Sequence, residues 1–279
     1  MAVRVEDDGA VRNVVLCRPE RRNAITPALR DQLGDALDAA DADDAVKVVL
    51  LRADGPDFCV GFDLHWATAA QAAEAAGGRV WDSMADLRVI GAYAATWAKL
   101  WTISKPTVAA VQGWCVAGGT DLVLHADLIL AGESATFGYP PARVWGTPEA
   151  PWVWVARLGL ERAKRYLLTG DEISAPEAAR VGMILECVPD AELEERARAL
   201  TRRMALLPLS QLRMLKLLCN QAAQGYRPDT SRLLGCLFDG VARHTQEGLD
   251  FVARAGQVGF REAVRERDRS FGDYGERPR

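Results

Sequence analysis

Long apolar runs separated by loops rich in glycine and proline mark the first two thirds of the chain. Two of these runs, Val46–Ala53 and Lys105–Gly113, carry few polar side chains, which is typical of strands covered on both faces. Ala10–Arg18 also predicts a strand because of its valines. The first half therefore alternates strands with helical segments, which indicates an α/β fold.

Helical spacing appears after Thr26, where leucines at positions 29, 33 and 37 form one apolar stripe behind an N-cap threonine and Pro27. Residues 66–100 predict lid-like helices, and Trp152–Gly170 predicts one helix that ends at its glycine. From Asp190 onward nearly everything reads as helix. We divide the chain into a core, residues 1–195, and a helical region, residues 196–279.

Composition limits the function classes. The 279 residues are 49% hydrophobic with a net charge of -4, so charge gives no reason to expect a nucleic-acid or anionic-membrane partner. The sequence shows no signal peptide and no apolar stretch of membrane-spanning length. The six cysteines form no CxxC pair, and the three histidines have no zinc-like spacing. We expect a cytoplasmic protein with free thiols.

A glycine pair at a strand-to-helix junction is the first candidate for chemistry. Gly118 and Gly119 follow a predicted buried strand, and Asp121 is the first acid of the helix they open. The first N–H groups of a helix lack internal partners, and glycine lets another group approach them closely. The turn could bind a phosphate, a carboxylate or a transient oxyanion, or it could be only a tight turn.

A second glycine turn follows the Val46–Ala53 strand, at Gly61. Two such turns after two buried strands could each direct one backbone N–H at the same point, which is how an oxyanion hole is built from main chain.

Four segments in this order resemble the crotonase family, also called the enoyl-CoA hydratase/isomerase family. They are RPERRNAITPAL, DFCVGFDL, KPTVAAVQGWCVAGGTDLVLHADLILAGESATFGYP and GLERAKRYLLTGDEISAPEAARVGMI. The resemblance implies a spiral of strand–strand–helix units with a helical C-terminal part that packs over a neighbouring subunit. It also implies an acyl-CoA substrate, a homotrimer or a dimer of trimers, and no metal or redox cofactor, with coenzyme A present only as part of the substrate.

The resemblance also implies roles for individual residues. The oxyanion hole falls on the amides of Val60 and Gly118. The positions of the CoA-contacting loops are Arg22, Ala24, Gly61, Asp63 and Leu64, and candidates to line the acyl pocket are His65, Trp114, Pro141 and Trp145.

The catalytic positions depart from the family pattern. Hydratases of the family use two glutamates, and here these positions hold Asp121 and Pro141. Aspartate withdraws the carboxylate by one bond, and proline cannot act as an acid or base. Glu149, eight residues past Pro141 and beside several tryptophans, is the candidate replacement. Aromatic walls would raise the pKa of its carboxyl group by desolvation.

Several reactions remain open. Proton transfer at Cα and Cγ of an enoyl-CoA needs one placed base, whereas hydration needs Glu149 to orient water. Hydrolysis of a thioester or of a C–C bond, and binding of CoA esters with little turnover, are the alternatives. Two neighbours could take part: His125 is a core histidine or a proton shuttle, and Arg143 could pair with one acid, whose pKa it would lower.

Overall fold

The computed structural model describes residues 1–77, 82–207, 209–223 and 228–269. Its strands are β1 Val3–Asp8, β2 Val11–Leu16, β3 Val48–Ala53, β4 Thr107–Val111, β5 Trp114–Val116, β6 Leu128–Gly132, β7 Thr136–Gly138, β8 Ile173–Ser174 and β9 Glu186–Val188. The main sheet has the order β1-β2-β3-β4-β6-β9, and β5-β7-β8 form a second sheet. In the main sheet only the β1–β2 pair is antiparallel.

The helices follow the strands and dominate the C-terminal third. They are α1 Pro27–Ala42, α2 Leu64–Ala76, α3 Ser83–Thr102, α4 Gly118–Leu124, α5 Pro151–Leu158, α6 Leu160–Thr169, α7 Ala175–Arg180, α8 Leu193–Ala205, α9 Leu209–Ala223, α10 Pro228–Arg243, α11 Gln246–Val258 and α12 Phe260–Asp268. None of these helices is long and apolar enough to cross a membrane, within the residues described.

The main sheet is buried on both faces, as its apolar runs predict. Alternate residues of β3 enter different clusters: Val49 and Leu51 pack with α1 and α3, whereas Val48 and Leu50 pack against α8. Successive side chains of a strand point to opposite faces, so a doubly covered strand must be apolar throughout. The predicted α/β architecture with a spiral core is thus confirmed.

Local signals fix some helix ends and break one helix. The Thr26 hydroxyl accepts the N–H of Leu29 at 3.3 Å, which confirms the predicted cap of α1. The single helix predicted for Trp152–Gly170 is wrong, because Gly159 adopts φ +74° and separates α5 from α6. Strand β1 was not predicted at all.

The C-terminal helices pack over their own chain. Helix α10 lies against α3 through Ile90, Ala94 and Cys236. Helices α11 and α12 share a cluster with Trp145 and α2. The site described next is therefore covered from within the subunit, and the predicted trimer stays a prediction.

Candidate active site

The glycine turn at Gly118 is built on a strained residue. Ala117, the residue before it, adopts φ +55° and ψ −129°, a backbone region that L side chains rarely occupy. This conformation turns the chain sharply from β5 into α4. A side chain does not fit at Gly119, since a Cβ there would lie 2.4 Å from the carbonyl oxygen of Cys59. The sequence therefore needs glycine here for packing as well as for access.

The second turn approaches the first closely. Gly61 has φ +89°, and a Cβ placed on it would lie 3.3 Å from the backbone nitrogen of Gly118. The amide of Val60 donates to the carbonyl oxygen of Arg22 at 3.2 Å, so it already has an acceptor. The amides of Phe62 and Gly118 donate to no acceptor in the part of the chain that the structure describes. The free donor of this turn is Phe62, which the sequence analysis did not select.

The orientation of the Phe62 amide follows from strand pairing. Phe62 forms an isolated parallel bridge with Ile25, in which the Ile25 amide donates to Gly61 and the Asp63 amide donates to Ile25. Both flanking peptides are thus used on the Ile25 side, which leaves the Phe62 amide directed away from it.

Asp121 sits in the first turn of α4 and is fully buried. The indole Nε1 of Trp154 donates to Oδ1 at 2.6 Å, and the backbone amide of Glu149 donates to Oδ2 at 3.2 Å. Each oxygen of the carboxylate therefore accepts one hydrogen bond from α5 or the loop before it. The sequence placed Trp154 near Glu149 but did not predict this contact.

Glu149 is fully buried beside Asp121, but its carboxyl group makes different contacts. Its carboxyl oxygens accept no hydrogen bond from a donor among the residues described, and its polar contact is with the Asp121 carboxyl group. Burial, and next the negative charge of Asp121, raise the pKa of Glu149 well above its usual range. Burial also raises the pKa of Asp121, although the contacts from Glu149 and Trp154 oppose that rise. The geometry favours a pair that holds one proton, chiefly on Glu149.

His125 has the contacts of a core histidine, and Arg143 pairs with an acid other than Asp121 or Glu149. His125 is buried, and its Nδ1 lies 2.7 Å from the Asp121 carbonyl, so that nitrogen must carry the hydrogen. Burial lowers the pKa of His125 to about 4, which keeps the ring neutral. Arg143 pairs with Asp268 at 3.0 Å, and its side chain is 1% exposed.

The loop that carries Glu149 is fixed by the C-terminal helices. The Arg143–Asp268 ion pair ties its start to α12, and Trp145 packs at a tilt of 42° against Phe251 of α11 with 5.8 Å between ring centroids. Asp239 of α10 accepts a hydrogen bond from the backbone of Thr147, and burial raises the pKa of Asp239 to about 6. Three helices thus determine where the Glu149 carboxyl group lies.

The residues predicted to contact CoA lie near the Gly61 turn. Arg22 is exposed and pairs with Asp57 at 2.7 Å. Asp63 pairs with Arg18 at 3.2 Å, and the carbonyl oxygen of buried Ala24 accepts a hydrogen bond from the same arginine. Leu64 joins the apolar cluster around Trp145. These residues share one region with Gly61, and their role in binding CoA stays a prediction.

The predicted acyl-pocket residues are dispersed. Trp145 is buried, whereas His65 is exposed and packs edge-on against Phe260 with 5.2 Å between ring centroids. The backbone amide of Trp114 donates to Asp57 at 2.9 Å, which places it beside the Arg22 ion pair. A Cβ on Gly146 would meet Pro141 at 3.1 Å, so Pro141 packs against the loop that leads to Glu149. No cluster of three His, Cys, Asp or Glu residues suited to a metal occurs within the described segments.

The chain is similar to several known proteins. A family model described as enoyl-CoA hydratase/isomerase matches residues 6–261. The crystal structure of an enoyl-CoA hydratase from Mycobacterium smegmatis is similar with a TM-score of 0.93 and 42% identity, covering 99% of this chain and 96% of that one. The hydroxycinnamoyl-CoA hydratase-lyase of Pseudomonas fluorescens is 30% identical over 207 residues, 72% of either chain. The 2,3-dehydroadipyl-CoA hydratase of Escherichia coli K12 is 30% identical over 194 residues, 69% of this chain and 71% of its own.

Proposed function

The chain belongs to the enoyl-CoA hydratase/isomerase family, and we propose that it adds water reversibly to the Cα=Cβ bond of an enoyl-CoA thioester. The observation that carries this proposal is the buried pair of Asp121 and Glu149, which lies beside two backbone amides without acceptors. A carboxyl group and a carboxylate buried side by side suit a reaction that removes a proton at one atom and delivers one at another.

The amides of Phe62 and Gly118 are the proposed oxyanion hole. Both belong to backbone held by close contacts, since a Cβ on Gly118 would lie 3.0 Å from Ile25 and 3.1 Å from the Phe62 ring. Donors fixed in advance stabilise the negative charge that develops on the thioester oxygen, and loss of one such donor costs about 10²–10³ in rate. This proposal replaces Val60, whose amide is engaged by Arg22, with Phe62.

The proton balance of hydration closes within the carboxyl pair. The water oxygen bonds to Cβ, and the π electron pair moves to Cα and onto the thioester oxygen. Glu149 gives the proton of the pair to Cα and its carboxyl group takes up one proton of the water, while Asp121 stays ionised. The pair ends with the one proton that it held at the start, so no other acid or base is needed.

Turnover of crotonyl-CoA tests the proposal. Loss of the conjugated thioester absorbance, together with incorporation of ¹⁸O from labelled water at C3, is the expected result. We expect both signals to fall by about 10²–10⁴ in Glu149→Gln, because the side chain can no longer carry a proton. Glu161→Gln is the matched control, since Glu161 is exposed in the first turn of α6 and its substitution should leave turnover unchanged. Turnover that persists at the wild-type rate in Glu149→Gln would contradict the assignment.

Isomerisation is the second candidate, and the proline at position 141 favours it. A shift of the double bond needs one base that moves a proton between Cα and Cγ, and Glu149 is the carboxyl group with unbonded oxygens. A β,γ-unsaturated acyl-CoA that becomes conjugated without taking up ¹⁸O would establish this reaction. Release of free CoA would indicate hydrolysis, and tight binding of acyl-CoA without product would indicate a binding protein.

An acyl-CoA substrate also has a nucleotide end, which needs its own contacts with the protein. We propose that the nucleotide end of CoA contacts the loop at Arg22, because this side chain is 55% exposed and carries positive charge that can face phosphate. Arg22→Ala should raise KM and leave kcat nearly unchanged, since the group is remote from the reacting carbons.

A further inference from the structure

Tyr93 carries a buried hydroxyl group that has no hydrogen-bond partner among the described residues. It lies in the middle of α3, where its ring packs edge-on against Phe62 with 4.9 Å between centroids. The guanidinium of Arg30 lies 4.8 Å from the ring centroid. The ring is thus fixed by its contacts, whereas the buried hydroxyl group has no hydrogen bond that would offset its desolvation. Such a group is expected to serve a ligand.

The position of Tyr93 relates it to both halves of the proposed site. The Phe62 ring that it contacts lies 3.1 Å from where a Gly118 Cβ would be, so one ring separates Tyr93 from the oxyanion turn. The charge of Glu149 is the smallest of the causes that raise the pKa of Tyr93. Burial is the main cause of this rise, which brings the pKa of Tyr93 to about 12. The phenol therefore keeps its proton at neutral pH and can donate.

We propose that the Tyr93 hydroxyl binds the oxygen atom at the β-carbon of the substrate, together with Glu149. That oxygen belongs to the attacking water in the hydration direction and to the 3-hydroxyl group in the reverse direction. The inference rests on the proposed function, because it names a contact of that same site. A buried water normally makes about three hydrogen bonds, and the Tyr93 phenol and the Glu149 carboxyl group, which no donor of the described residues reaches, are suitable partners. Tyr93 keeps its own proton throughout and forms no covalent bond.

The variant Tyr93→Phe isolates the hydroxyl group. It keeps the ring, so the contacts with Phe62 and Arg30 remain. Because the hydroxyl has no partner in the free protein, we expect its removal to leave the urea midpoint unchanged or to raise it. Tyr139→Phe provides the contrast in stability, since the Tyr139 hydroxyl donates to the carbonyl of Thr147 at 2.7 Å and its loss should lower the midpoint.

Binding of two unreactive thioesters to the intact protein tests the proposal. Acetoacetyl-CoA carries an oxygen at C3 and butyryl-CoA does not, and neither has an enoyl bond to hydrate. In Tyr93→Phe we expect calorimetry to show acetoacetyl-CoA bound about tenfold to a hundredfold more weakly, with butyryl-CoA unchanged. Tyr166→Phe is the control for binding, because the Tyr166 hydroxyl faces Glu177 on α7. It should change neither affinity.

The outcomes separate two kinds of failure. Equal weakening of both ligands, or of neither, would overturn the role of Tyr93. If the selective weakening occurs while the wild-type protein neither hydrates nor isomerises crotonyl-CoA, the proposed function fails and the Tyr93 contact stands. Failure of the wild-type protein to bind either thioester would overturn both.

Discussion

The indole of Trp154 should set the acid limb of the pH–activity profile. Its Nε1 donates to Oδ1 of Asp121 at 2.6 Å in a fully buried contact. A hydrogen bond to a charged group is worth about 1.5–3 kcal/mol, and one pKa unit corresponds to about 1.36 kcal/mol. The variant Trp154→Phe removes a hydrogen bond that stabilises the ionised form of Asp121 more than its neutral form. The pKa at which the pair with Glu149 first loses a proton should rise by about one to two units.

Crotonyl-CoA turnover at limiting substrate, measured across the acid range, reads this shift directly in kcat/KM. The sign follows from the proton count: the pair must hold one proton, and a raised pKa keeps the inactive two-proton form populated to higher pH. Trp152→Phe is the control, because the Trp152 ring packs on Trp101 and His125. An acid limb in Trp154→Phe that coincides with the wild-type limb, or lies below it, would refute the reasoning.

Three further predictions concern the groups around the pair. The pKa of His125 falls from 6.5 to about 4, so stability should be full above about pH 6.5 and decrease by about 3 kcal/mol toward pH 4; urea midpoints of His125→Gln should lack this slope. Arg143→Met removes one of the two arginines that pair with buried Asp268 and should lower the free energy of unfolding by about 3 kcal/mol, measured by urea denaturation. Asp239→Asn removes a negative charge that raises the pKa of Glu149, so the basic limb of kcat/KM should move to lower pH, and an unchanged limb would contradict this coupling.

The fold could be predicted where the chain encodes burial directly. The apolar run of β3 and the cap at Thr26 both appear as expected, since each depends on residues close in sequence. Strand β1 carries mostly exposed side chains and is held by antiparallel pairing with β2, so its sequence gives little periodic signal. The break at Gly159 was missed because apolar spacing continues across it. Here the left-handed backbone of one glycine outweighs the pattern around it.

The sequence predicted which residues belong to the site but not how their hydrogen-bonding groups are oriented. Sequence placed Asp121 and Glu149 in one pocket, and the structure puts them side by side. It could not show that the Phe62 amide is the free one, because the orientation of that peptide depends on pairing with a strand residue that lies 37 positions earlier, at Ile25. Trp154 was missed as a donor for the same reason. Its indole reaches Asp121 only because α5 packs across α4.

Asp121 and Glu149 differ in their hydrogen bonds, which indicates a different role for each carboxyl group. Asp121 has both oxygens bonded to donors of the chain, so its negative charge is held in place and its movement is restricted. Glu149 has no such bonds, and its pKa is raised further, so it can take up and release a proton while it follows the substrate. Asp121→Asn keeps an acceptor for Trp154 but opposes the Glu149 amide with an N–H group, or the reverse if the amide flips. It should therefore lower the pKa of Glu149 by removing the adjacent charge and disturb the loop, whereas Glu149→Gln should abolish proton transfer with the loop intact. A basic limb retained at reduced rate in Asp121→Asn, beside a basic limb lost in Glu149→Gln, is the pattern that this division of roles requires; the opposite pattern would assign the proton carrier to Asp121.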